Sequence, residues 1–337
     1  MKKVLCFGEI LLRFSPVLQG KWIQDASFSV FVGGAELNVA SALSQWGLAV
    51  DFCGALPDNY LSHEIIDQLH SQNIDTKCIL FSGNRIGSYF LPEGGDLKSN
   101  GVIYDRAYSS FSELKPGNID WDKVLDGIDW FHFSAINPAL NENIAEVCLE
   151  ALQVAKQKGI TISIDLNYRS KLWQYGKYPV EVMPKLVEYC DVIMGNIWSA
   201  NTLMGTPLEQ DLLIVGNNES YLKHSEISSQ EIMKHYPNAK IIANTFRMEN
   251  EEGIEYFATL KNKSGFFSSK TFNAQVINKV GSGDCFMAGL IYGILNKNEP
   301  QEIINFSAAA AIGKMQEQGD ATQQSINDIQ KILSYGQ

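Results

Sequence analysis

No two cysteines in this chain form a C-x-x-C pair, and no histidines stand in an H-E-x-x-H spacing. The six cysteines are scattered at positions 6, 53, 78, 148, 190 and 285. Several sit in apolar runs such as VLCFG and VDFCGAL, where a thiol behaves as a small hydrophobe. These absences argue against structural zinc and for a reducing compartment. No apolar run approaches the about 18 residues of a membrane-spanning helix. The opening MKKVLCFGEILLRF has the look of a secretion signal, but Glu9 and Arg13 interrupt its apolar stretch, so a cytoplasmic location is expected. Runs of Lys and Arg are also missing, and the formal net charge is −11, which speaks against nucleic acid as a partner. A small anion is still compatible, because local arginines can outweigh a distant acidic surface. The first strand-like segment is followed by FGEILL rather than G-x-G-x-x-G, which argues against a dinucleotide oxidoreductase. No repeat, low-complexity tract or composition shift marks an internal boundary, so residues 1–337 are expected to form one domain.

What is present is an ordinary globular composition, with 45% hydrophobic and 19% charged residues. KVLCFGEI, LLRFSPV and SFSVFVGG alternate as strands. AELNVASALSQWG has helical spacing and is closed by Gly47. VDFCGAL then reads as a buried strand and LSHEIIDQLHSQN as a second helix, an order that predicts a parallel sheet. RIGSYFL and GVIYDRAY, around the polar turn PEGGDLKSNG, instead predict an antiparallel ribbon. Together with the early strands, these segments (about 10–32 and 85–110) are expected to form a small sheet that projects as a lid. Alternation resumes with IDWFHFSA, the long helix NENIAEVCLEALQVAKQKG, ITISIDLN, VIMGN and KIIANTF. IEYFATL and GFFSSKTF predict a hairpin, and the last segment is mostly helical. The expected fold is α/β: a doubly wound, mostly parallel sheet flanked by helices.

Two glycine motifs carry chemistry. In NKVGSGDCFMAGLIYGILN, the small residues Gly281, Ser282 and Gly283 precede an apolar helix. Such a turn aims several backbone N–H groups and the positive end of the helix dipole at one point, an anion hole suited to a transferring phosphoryl group. Asp284 at the first turn faces the same point and can accept a proton from an attacking hydroxyl. The plainer alternative is an aspartate N-cap after a glycine turn. Upstream, Gly33 and Gly34 in VGGAELNVA let backbone approach a ligand closely, and Asn38 on the following helix offers one donor and one acceptor. The alternative there is a simple strand-to-helix turn. Arg169 follows a strand whose C-terminal end is where open α/β sheets bind ligands; a surface ion pair is its other reading. His132 and Trp173 read as core residues, and His63 and His70 as solvated ones.

The two motifs in this order, about 245 residues apart, resemble those of the ribokinase-like (PfkB) carbohydrate kinases over essentially the whole chain. Within that family the pattern is most similar to the 2-keto-3-deoxygluconate kinases, on GGAELNVA, on DLNYRSKLW (Asp165 to Trp173) and on Tyr104-x-Arg106. The resemblance implies a transfer of the γ-phosphoryl of ATP to a sugar-acid hydroxyl, with Asp284 as base and with Gly281, Ser282 and Gly283 around the phosphoryl group. It implies sugar contacts from Gly33, Gly34, Asn38, Tyr89, Tyr104, Arg106 and Arg169. Nucleotide contacts would come from Asn196, Thr245, Arg247 and Asn305. Magnesium would arrive with the nucleotide, no protein metal site being expected, and the lid would close over the sugar and could pair two copies of the chain. Three positions depart from the family pattern. Asn278-Lys279 replaces an Asp-Thr pair associated with a monovalent cation. Ser199 stands where a glutamate usually follows Asn196, and Arg247 replaces the glycine of a Thr-x-Gly turn. Other readings that remain are a neutral-sugar kinase of the fructokinase or ribokinase type and a sugar-binding member of the fold with little turnover.

Overall fold

The alternation in the first strand separates two cores. In β1 (Lys3–Phe7), Val4 and Cys6 enter one hydrophobic layer, while Leu5 and Phe7 enter another on the opposite face. A strand buried on both faces needs helices on both sides. The computed structural model has that arrangement; it describes residues 2–16, 22–23, 27–92, 101–209, 217–250 and 253–335. After β1 the strands are β2 (Leu11–Pro16), β3 (Phe28–Gly33), β4 (Ala49–Leu56), β5 (Ile74–Phe81), β6 (Gly87–Phe90), β7 (Ile103–Asp105) and β8 (Trp130–Ser134). There follow β9 (Thr161–Asp165), β10 (Val192–Gly195), β11 (Ile241–Asn250), β12 (Gly253–Asn262), β13 (Gly265–Ser268) and β14 (Phe272–Ala274).

Ten strands form one sheet in the order β13-β12-β11-β10-β9-β8-β1-β4-β5, with β14 on β12. From β5 across to β11 all neighbours are parallel, whereas β12 pairs antiparallel with β11, β13 and β14. The expected hairpin is β12–β13, but β11 is also longer than KIIANTF and forms a second hairpin with β12. One core layer packs the helices Ala35–Gln45, Ser282–Leu295 and Pro300–Met315 on the sheet; the other packs Glu142–Gln157 and Pro179–Val187. All six cysteines are buried and unpaired, and Trp173 packs in the second layer. His132 is buried against Ser163 Oγ, and burial pushes its pKa down to about 3. Among the described residues, no helix is long and apolar enough to cross a membrane.

The remaining strands form a separate sheet in the order β3-β2-β6-β7. β6 and β7 are antiparallel, as expected of the ribbon, and β6 joins β2 in parallel. Residues 93–100 of the expected polar turn lie outside the described residues. Phe28, Val30 and Ile103 of this small sheet are exposed.

Candidate active site

The chain crosses between the two sheets at Gly34, and the crossing brings backbone against backbone. Gly34 has φ +134°, and a Cβ there would lie 2.3 Å from the carbonyl oxygen of Glu9. At Gly33 a Cβ would lie 2.4 Å from Asp320 Oδ2. Both glycines therefore answer to close contacts within the protein. Gly34 also lines the cleft between the sheets, whereas Gly33 is not among its lining residues and stands against Asp320. The helix Ala35–Gln45 starts directly after the crossing and carries Asn38 into that cleft.

At the other motif, Gly281 takes the left-handed conformation (φ +80°) and is the N-cap of the helix Ser282–Leu295. The aspartate is not the cap: it sits in the first turn, buried. The first-turn N–H groups of Ser282, Gly283 and Asp284 have no acceptor within their own helix. A Cβ at Gly283 would meet nothing within 4 Å, so the approach to these donors is open. Asn38 Nδ2–H donates to Asp284 Oδ2 at 2.7 Å, joining the two motifs. Burial raises the pKa of Asp284 to about 8. The Asn38 hydrogen bond and the charge of Arg169 pull it down, while Asp165 and Glu36 push it further up. A carboxylate poised near neutral pH is suited to general-base work.

The cleft has a volume of about 350 Å³. It lies at the C-terminal ends of β8, β9 and β10, beneath the small sheet, as open α/β sheets place their ligands. Gly34, Asn38, Tyr89, Tyr104, Arg106 and Arg169 line it, as do Asn196, Thr245, Arg247 and the loop from Gly281 to Asp284. Asn305 does not. It accepts a hydrogen bond from the backbone N–H of Lys270 at 3.0 Å, in the part of its helix that packs on β12–β14, whereas Met315 at the end of the same helix does line the cleft. Asn196 caps the helix Ile197–Met204 by accepting from Ser199 N–H at 2.8 Å.

Several lining side chains are already committed to the protein. Arg106 Nε donates to buried Glu9 at 2.6 Å, and Ser109 Oγ donates to the same carboxylate. Tyr89 O–H donates to Asp320 Oδ2 at 2.7 Å, and Arg13 pairs with Asp320 Oδ1 at 2.7 Å. Arg169 Nη1 donates to the carbonyl of Tyr168 at 2.9 Å. Asp320, Glu9 and Asp165 went unmarked as site residues in the sequence. Asp165 alone had a signal there, at the head of DLNYRSKLW; Asp320 stands in a polar turn, EQGDATQQ, with none. Among the described residues no group of three or more His, Cys, Asp or Glu side chains is gathered as for a metal ion.

Residues 1–327 match the profile of the pfkB family of carbohydrate kinases. The structure resembles a 2-dehydro-3-deoxygluconokinase from Thermotoga maritima with a TM-score of 0.89 and 37% identity, covering 99% of this chain and 100% of that one. A 2-dehydro-3-deoxygalactonokinase of Haloferax volcanii is 25% identical over 335 residues, spanning 99% of this chain and 97% of its own. A probable fructokinase-2 of Arabidopsis thaliana is 27% identical over 297 residues, or 87% of this chain and 82% of that protein. With the two glycine motifs meeting at Asp284 in a cleft between two sheets, the chain belongs to the pfkB family and is a carbohydrate kinase.

Proposed function

We propose that the substrate is 2-keto-3-deoxygluconate and that its 6-hydroxyl receives the γ-phosphoryl of ATP. The observation that carries this reading is Asp284: a buried carboxylate of raised pKa at the mouth of an open helix N-terminus, within the field of Arg169. Asp284 takes the hydroxyl proton, and the N–H groups of Ser282, Gly283 and Asp284 meet the charge developing on the phosphoryl oxygens. Arg169 holds the sugar carboxylate; a planar guanidinium suits both its oxygens. The names of the T. maritima and H. volcanii relatives support a keto-deoxy sugar acid. Arg247, Lys279, Thr245 and Asn196 would hold the nucleotide's polyphosphate side of the cleft. Their basic and neutral donors fit phosphate oxygens, and among the described residues no acidic cluster is gathered to hold a metal without the nucleotide. When bound, magnesium neutralises the β- and γ-phosphate oxygens.

A neutral sugar is the second reading. It is favoured by the Arg106–Glu9 ion pair, which cancels one of the two arginines, Arg106 and Arg169, proposed for the sugar side. An ADP-release assay over a panel of sugars decides. The acid-sugar reading expects 2-keto-3-deoxygluconate to have the highest kcat/KM. A preference for fructose or ribose moves the chain to the neutral branch, and no ADP release with any sugar that binds would leave only a binding role.

A further inference from the structure

Lys314 is a lysine with no exposed surface. It lies in the last turn of the helix Pro300–Met315, and its Nζ donates to one neutral acceptor, the carbonyl of Gly319, at 3.1 Å. A buried ammonium with so little compensation is costly to keep, and an apolar side chain of the same length would serve packing better. Its location gives it another use. Lys314 Cε is 3.3 Å from where a Cβ on Gly281 would stand, and the carbonyl of Asp320 is 2.0 Å from the same point. The end of the lysine side chain thus packs beside the glycine that starts the anion loop. The same Gly319 carbonyl accepts from Asn278 Nδ2 at 2.8 Å, and Asn278 Oδ1 accepts from Val280 N–H at 3.0 Å. Two loops, 278–284 and 316–322, are therefore joined through a single carbonyl that Lys314 also grips. Besides the cost of burial, Glu317, Cys285 and Asp320 favour the ammonium electrostatically and Arg13 opposes it.

We propose that Lys314 is a positioning residue for phosphoryl transfer: a built-in cation that clamps Gly319, fixes the backbone of Gly281–Gly283 and adds positive potential behind it. The ordinary alternative is a lysine that only complements its helix C-terminus. That role predicts a loss of stability on substitution, without a selective loss of turnover.

The inference rests on the kinase reading and is independent of which sugar is used, because variant and wild type are compared on the sugar the wild type phosphorylates fastest. A wrong sugar assignment would appear as a different best substrate for the wild type, not as a different Lys314 ratio. Lys314→Met keeps the volume and removes the charge. Its thermal midpoint should equal or exceed that of the wild type, its sugar KM should stay within about threefold, and its kcat should fall about tenfold or more, the scale on which anion-hole donors act. A kcat within about twofold of wild type, or a fall in kcat matched by a lower thermal midpoint, overturns the proposal. Should the methionine variant fail to fold, Lys314→Ala is assayed with and without ammonium chloride. A rise in kcat confined to that variant supports a resident cation, and an equal response in the wild type overturns it.

Discussion

Asn38 Nδ2 donates to Asp284 Oδ2, while its own Oδ1, equally buried, accepts from no described group. One amide thus restrains the proposed base while its own oxygen stays buried, in a residue that lines the cleft together with Asp284. Each prediction below follows from this pair or from the residues that hold it in place.

Turnover should follow the ionisation of Asp284. Burial lifts its pKa to about 8, and only the ionised form accepts a proton. Below that value kcat/KM should fall about tenfold per pH unit, and above it the rate should level off. A pH–rate profile that is flat between pH 6 and 9 would contradict the assignment.

Asp284→Asn should lower kcat by roughly 10²–10⁴ with sugar affinity nearly unchanged. It should also stabilise the fold, but only at higher pH. Folding raises this carboxyl's pKa, so its contribution is fully retained at acid pH and lost as pH rises through about 8. The variant's thermal midpoint should exceed the wild type's by about 2 °C or more at pH 9 and match it near pH 4. Equal midpoints at both pH values would show that the carboxyl is not strained.

Asn38→Ala removes a hydrogen bond that holds the pKa of Asp284 down. The inflection of the pH–rate profile should move to higher pH, and the sugar KM should rise. An unmoved inflection would mean that the amide serves the sugar alone.

Arg169→Ala should cost about 1.5–3 kcal/mol on an acid sugar, or roughly 10- to 150-fold in kcat/KM, the typical loss of one charge-assisted contact. Any neutral sugar that reacts should be little affected. Equal losses on both would make Arg169 structural, consistent with its bond to the Tyr168 carbonyl.

Asp320→Ala strands Arg13, whose side chain is only 3% exposed and also lies 3.9 Å from the Phe31 ring. Removing one partner of such a buried pair costs about 3–5 kcal/mol. The loss should appear as a lower denaturation midpoint, and replacing Arg13 with Met in the same chain should recover much of it. Additive losses in the double variant would indicate that the two residues do not interact.

Sequence patterns were most readable where one physical rule acted alone. Short, largely apolar runs marked β1, β8 and β9, which are buried along nearly their whole length, and helical spacing marked Ala35–Gln45 and Glu142–Gln157. The helix Asn218–His235 went unread because it packs with Ser225, Ser228 and Ser229, leaving hardly any apolar stripe. At the site, both glycine motifs were legible, and all the residues marked there except Gly33 and Asn305 line the cleft. Whether a lining side chain is available to a ligand was not: the partners of Arg106 and Tyr89, Glu9 and Asp320, lie 97 and 231 residues away. Asn305 is not among the lining residues although Met315, on the same helix, is: a helix's residues reveal which face is apolar, not which of its turns reaches a cleft.

The contacts that assemble the cleft span nearly the full length of the polypeptide: 246 residues separate Asn38 from Asp284 and 307 separate Arg13 from Asp320. Translation delivers Asn38 and Arg169 long before the loop from Gly281 to Asp284. Until residue 320 has left the ribosome, Arg13 and Tyr89 lack their shared carboxylate and Gly281 lacks the carbonyl it packs against. Contacts this distant close late in folding. A stalled or clipped chain ending before Asp284 keeps Asn38 and the cleft arginines Arg106, Arg169 and Arg247, yet lacks the carboxylate proposed as the base and the helix N-terminus beside it.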